Sequence, residues 1–174
     1  MAQRVSRAKQ KIKAAGAVFG PPAEQDRSRW HRPSIEAGVA LVERALSHGR
    51  VGMYQIQGAI AAVHAEAGRV EETDWPQIVA LYGLLQRVAP NPVVTLNRAV
   101  AVAMAHGPRA GLDVLNGLED RLAGHHRLDA VRAHLLEMAG ELAAAREAFE
   151  VAARRTTSVP ERRYLRARAA RLRT

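Results

Sequence analysis

From Ser34 onward the apolar residues recur at helical spacing in one segment after another, and no stretch alternates with a period of two over a strand's length. Ile35, Val39, Val42 and Leu46 form one stripe, and Ile56, Ile60, Val63 and Ala67 form the next. Further stripes are Ile78, Leu81, Leu85 and Val88, then Val93, Leu96, Val100 and Met104, then Leu112, Leu115, Leu118 and Leu122. Leu128, Val131, Leu135 and Met138 follow, then Leu142, Ala145, Phe149 and Ala152, and a last charged segment carries Leu165, Ala169 and Leu172. The expectation is an all-α body of eight helices. Composition agrees: 48% of residues are hydrophobic but only 4% are aromatic, so the core must be built of Ala, Leu and Val, which suits closely packed helices.

Helix ends carry residues with a mechanical reason to be there. Asn91 can cap while Pro92 occupies the first helical position, where a missing N–H costs nothing. Gly107 before Pro108 predicts a left-handed turn that ends one helix and starts another, and Gly68, Gly124 and Gly140 read the same way. Ser158 and Glu161 match a capping box, with Pro160 in the first turn. The clustered Glu71, Glu72 and Asp74 precede a helix, where carboxylates favour the positive N-terminus.

Short connections make consecutive helices antiparallel neighbours, so the body reads as stacked helical hairpins, an α-solenoid. Trp75, Ile78 and Tyr82 have the separation of a tetratricopeptide first helix, and Gly140, Ala145, Phe149 and Ala152 fit the turn and second helix of that repeat. A generic helical bundle with these aromatics in its core is the other reading, and both imply a binding surface.

The net charge of +9 is uneven. Residues 1–30 hold seven Lys/Arg against two acids, 31–153 hold eleven against fourteen, and 154–174 hold eight against one. Residues 1–15 read as a separate basic helix, with Val5, Ala8 and Ile12 on one side. Residues 16–33, with Gly16, Gly20, Pro21, Pro22 and Pro33, read as a linker, and 34–174 as the helical domain. The basic tail either closes the stack as an amphipathic cap or adds a nucleic-acid contact. With no cysteine, the chain suits a reducing cytosol, and a cytoplasmic location is expected. The Ala-rich run from Val93 to Ala105 is interrupted by Asn97 and Arg98, so no membrane span and no membrane partner are expected.

The motifs of catalysis do not assemble. His64-Ala65-Glu66 matches half of a zinc-deaminase signature whose other half needs cysteines. His125, His126 and His134 lie near one helix without a carboxylate at ligand spacing. No enzyme activity, metal or cofactor is expected.

Several blocks resemble one family. Residues Gly52-Met53-Tyr54-Gln55-Ile56-Gln57-Gly58 and the following Ala59 to Glu66, Thr73-Asp74-Trp75, Tyr82, Pro90-Asn91-Pro92, and Leu96-Asn97-Arg98-Ala99 through Ala103 are similar to extracytoplasmic-function RNA polymerase sigma factors that carry a tetratricopeptide-like C-terminal extension. The likeness covers nearly all of residues 24–173. Ala2 to Ile12 looks like the end of the region 4 recognition helix, which implies that Gln3, Arg4, Ser6, Arg7 and Lys9 face promoter DNA. In the body the resemblance implies a repeat core and partner groove at Tyr54, Gln57, His64, Trp75, Tyr82, Asn97 and Arg98. It departs from the family in lacking region 2 and the helices that scaffold region 4, and the segment between Phe19 and Glu24 is short, as expected of a truncated or remnant product.

The resemblance therefore implies a regulatory, protein-contact module in transcription initiation, incomplete as a sigma factor. Its partners would be RNA polymerase, other sigma-factor domains or a protein regulator, and promoter DNA only if the region 4 scaffold is supplied. Two alternatives stand beside it. An autonomous helical-repeat scaffold unrelated to transcription is the first, and under it the basic head is an accident of the reading frame. A targeting or membrane-surface role for the head has only the thin stripe of Val5, Ala8 and Ile12 to rest on.

Overall fold

Amphipathic segments joined by short connections fold here into a chain of helices, each resting on its neighbours in sequence. The computed structural model describes residues 27, 30–49 and 51–172. Among them are eight α-helices and no strand: α1 Arg32–Ser47, α2 Met53–Glu66, α3 Trp75–Val88, α4 Pro92–His106, α5 Pro108–Asn116, α6 His126–Met138, α7 Leu142–Arg155 and α8 Val159–Arg171, with a short 3-10 turn at Val70–Glu72. No helix among the described residues is long and apolar enough to cross a membrane. The expected basic helix at residues 1–15 lies outside the described residues.

The fold is an all-α stack of helical hairpins of the helical-repeat kind. Each helix packs on its chain neighbours, and α4 also meets α6. Residue-level contacts set the directions. A Cβ on Gly58 in α2 would sit 3.1 Å from Val42 in α1, and one on Gly68 would sit 3.7 Å from Arg32, so the two helices run antiparallel. Gln86 near the end of α3 donates to Thr95 near the start of α4 at 2.8 Å, which sets the next reversal. Between α6 and α8 the order is parallel: His126 reaches Glu161 at 3.4 Å, the His134 ring lies 6.0 Å from Tyr164, and Glu137 pairs with Arg168 at 2.6 Å. Alternate helices running side by side in one direction is the stacking of a solenoid.

The core is three linked clusters. Ile56 and Ile60 of α2 meet Trp75, Ile78 and Leu85 of α3 and Ala101 of α4. Leu96, Ala99 and Ala103 on another side of α4 meet Leu115, Leu118, Leu128 and Leu135. Ala133 of α6 then joins Phe149, Ala152 and Ala153 of α7 with Leu165 and Ala169 of α8. Helices α4 and α6 are therefore shared walls, buried on two sides, and alanine makes that possible because its methyl lets backbones approach. Helix α1, the first of the described helices, packs among the described residues chiefly on α2 and has no buried residue.

Several boundaries differ from the sequence expectation. The leucine stripe of α5 does not continue as helix: α5 stops at Asn116, and residues 117–124 are turns, with Leu118 N–H donating to Leu115 O and Leu122 N–H to Leu118 O. Gly117 weakens the helix there, yet Leu118 is 1% exposed, so the stripe tracks burial correctly and secondary structure wrongly. Val88, Met138 and Leu142, assigned to stripes, are about half exposed at helix ends. Pro33, assigned to the linker, sits in the first turn of α1, which begins at Arg32.

Caps divide the same way. Asn91 accepts from Val93 N–H at 2.8 Å, and Gly107 takes φ +95° between α4 and α5, as read from sequence. Gly124 and Gly140 also have positive φ, but Gly68 does not; extended Ala67 ends α2 instead. Ser158 accepts from Glu161 N–H, but the box is only half formed: the Glu161 carboxylate takes the Thr156 hydroxyl, and Ser158 N–H donates to that same hydroxyl at 3.2 Å. Among Glu71, Glu72 and Asp74, the cap is Asp74, whose Oδ1 accepts from Gln77 N–H at 2.9 Å. Replacing Asp74→Ala leaves that amide without its partner and is expected to cost about 1 kcal/mol in urea unfolding, a shift absent from Glu71→Ala.

Candidate functional site

Two of the residues that sequence singled out, His64 and Trp75, meet at the corner where α2 turns into α3. Past Ala67 the chain makes the 3-10 turn and enters α3 at Trp75. Arg27 clamps this corner: its Nη1 donates to the carbonyls of Ala67 at 2.9 Å and Arg69 at 3.2 Å, and its Nη2 to the Thr73 hydroxyl at 3.3 Å. A guanidinium on carbonyls beyond a helix C-terminus answers acceptors that the helix leaves over. The same guanidinium lies 5.2 Å from the centre of the Trp30 ring, within cation–π range. Sequence assigned Arg27 to the linker, and nothing in local pattern marks an anchor forty residues from its acceptors.

His64 of α2 stands edge-on to Trp75, ring centres 5.1 Å apart. Burial lowers the imidazole's pKa, and the Arg27 charge pushes the same way, so the ring favours its neutral form. Tyr82, about two turns further along α3, packs against the same cluster, where burial raises its phenol pKa. Beside this corner lies a cleft of about 340 Å³ lined in part by Glu66, Glu72 and Asp74. Arg69 bonds the Glu72 carboxylate and holds its pKa below the usual range, while Asp74 is the α3 cap. These charges hold the turn in shape.

The seven residues expected in a repeat core and groove thus separate into two kinds. Trp75 is buried, and His64 and Tyr82 are partly buried in the α2–α3 core. Tyr54 is 76% exposed, and Gln57 and Asn97 are also exposed. Arg98 is half-buried on α4, its Nε buried without a hydrogen-bond partner. Gln3, Arg4, Ser6, Arg7 and Lys9 lie outside the described residues.

The histidines considered for a metal take other contacts. His125 caps α6, accepting from Arg127 N–H at 3.2 Å, and stacks on His126 at 5.0 Å. His134 lies two turns on, edge-on to Phe149 at 4.8 Å. The basic tail folds as a cap: Leu165 and Ala169 are buried, Arg162 donates to Thr156 O at 2.8 Å, and Arg168 pairs with Glu137. What sequence missed altogether is Gly111, buried where α4, α5 and α6 meet.

No family model matches the chain, and no solved structure matches it. The chain is 45% identical over 161 residues to an uncharacterized protein of Rhizobium meliloti (strain 1021), an alignment that takes in 92% of this chain and 38% of that protein. The chain accordingly spans well under half the length of this relative.

Proposed function

We propose that the chain is the C-terminal, helical-repeat module of an extracytoplasmic-function sigma factor and works by protein contact in transcription initiation, in the cytoplasm. The observation that carries this reading is the fate of the motif residues. The blocks that resemble the family contain Trp75, His64 and Tyr82, which the α2–α3 core uses, and also Tyr54, Gln57 and Asn97, which it does not. An aromatic side chain left 76% in solvent contributes little to folding, whereas Tyr is the kind of residue that anchors interfaces. A stack of helices with exposed tyrosine and amide side chains favours a protein partner: polymerase, other sigma-factor domains or a regulator. Promoter DNA enters this reading only when the scaffold of region 4 is supplied, with Gln3, Arg4, Ser6, Arg7 and Lys9 as the contacting residues.

The test is a pull-down of the full chain against purified core RNA polymerase and, separately, against fragments carrying sigma regions 2 and 4, at low and high salt. The expected result is binding to at least one that survives high salt and weakens about tenfold in Tyr54→Ala, with helicity unchanged. A folded chain that binds none of them would remove the sigma-factor reading.

A further inference from the structure

A second surface lies on the α7–α8 hairpin, away from the α2–α3 corner. It holds a cleft of about 450 Å³. The floor is methyl groups, Ala153 and Ala169 buried between the two helices and Ala170 exposed beside them. The walls are Arg154 from α7 and Arg166 from α8, both exposed, with Glu150 also on the lining.

Charge around this cleft is one-sided. Residues 154–174 hold eight arginines and one acid, and that acid, Glu161, already takes the Thr156 hydroxyl and contacts His126. Some of the arginines are committed to the fold: Arg155 to Asp129, Arg162 to Thr156 O and Arg168 to Glu137. Arg163, Arg166, Ala167 and Ala170 are exposed along α8 at spacings of three, one and three residues, which puts them on a single helical face. Arginines alternating with alanines make a surface on which another helix can lie close, because the methyl groups admit its backbone while the guanidinium groups reach past it.

We propose that this face docks an acidic amphipathic helix of a partner protein, its small apolar stripe seated on Ala153, Ala169 and Ala170 and its flanking carboxylates on Arg154 and Arg166. The floor favours an acidic helix over a nucleic-acid backbone: buried and exposed alanine methyl groups offer nothing to a phosphate, whereas they seat a small apolar stripe. The inference stands apart from the sigma-factor reading, since it uses other residues and names only the partner's chemistry.

Fluorescence anisotropy of the full chain tests it with three labelled probes: a synthetic helix with an Ala/Leu stripe flanked by glutamates, a peptide of the same composition scrambled to break the stripe, and a DNA duplex. The striped peptide is expected to bind, more tightly than the scramble, and to weaken about tenfold or more in the Arg154→Glu, Arg166→Glu double variant. Arg87→Glu, a charge reversal at an exposed position of α3 outside the cleft, is the control and should leave binding near wild type. Circular dichroism confirms that each variant keeps its helices. The proposal is overturned if the striped peptide does not bind, if the scramble binds equally, if Arg87→Glu weakens binding as much as the double variant, or if the duplex binds and the peptide does not.

Discussion

Gly111→Ala is expected to destabilise the protein by about 3 kcal/mol, the largest effect of a single added methyl group among the helical glycines of the described residues. A Cβ built there lies 2.6 Å from the Ala103 Cβ, 2.8 Å from the Ala99 carbonyl oxygen and 2.9 Å from a Leu135 methyl. Only the leucine can turn aside. The Ala103 methyl is fixed to its backbone and the Ala99 oxygen is backbone, so relief requires α5 to lift off α4. That movement opens the cluster in which Leu96, Leu115, Leu118 and Leu135 are each no more than 2% exposed. Equilibrium urea unfolding reads the loss directly, and the melting temperature should fall by roughly 6–12 °C for a domain of this size. Gly83→Ala is the counterpart. Gly83 lies inside α3 with nothing within 4 Å of an added Cβ, so alanine there should stabilise by about 0.5–1 kcal/mol through helix propensity. Equal and small effects at both positions would mean that α5 does not sit on α4 as described.

Gly111 also shows where legibility in the sequence ends. The stripes of large apolar residues located every described helix, because Leu and Ile announce burial by their spacing, and Asn91 and Gly107 announced their boundaries through capping chemistry. Alanine and glycine announce nothing of the kind. Ala99 and Ala103 on one side of α4, Ala101 on the other and Ala133 on α6 are all buried, yet by spacing alone they read as neutral filler. The two repeat fragments read from spacing carry a related lesson. The Trp75 fragment makes α3 a first helix, and the Phe149 fragment makes α7 a second helix, so three helices lie between them where strict alternation needs an even number. Short α5 is among the three, and Gly111 is what allows it to sit close against α4 and α6. After it the alternation resumes, with α6 and α8 side by side in the same direction. At the candidate site, contact chemistry was legible in Trp75 and Tyr82, whereas the Arg27 clamp was not, because an arginine's partners forty residues away leave no mark on its neighbours.

Between pH 7 and pH 5 the protein should lose about 2 kcal/mol of stability through one histidine. His134 projects from α6 toward Phe149 of α7, with Tyr164 and Arg168 of α8 beyond it and Glu137 of its own helix 3.9 Å away. Burial is the main cause that pushes its pKa down to about 4; the Arg168 charge adds to the shift and Glu137 works against it. The folded imidazole is therefore neutral at pH 7, so its contact with Glu137 is not an ion pair there. In the unfolded chain the same ring titrates near 6.5. The sign follows: the unfolded state takes up the proton first, so the full stability is present above about 6.5, declines as pH falls, and levels off below about 4. Urea midpoints at the two pH values measure the slope, and His134→Leu should remove most of it while keeping the ring's apolar contact with Phe149. His64, whose pKa is lowered by burial and Arg27, contributes in the same direction, so the residual slope in the single variant should shrink further when His64→Leu is added. A slope identical in the wild type and in His134→Leu would mean that this imidazole is not held neutral by the α6–α8 contact.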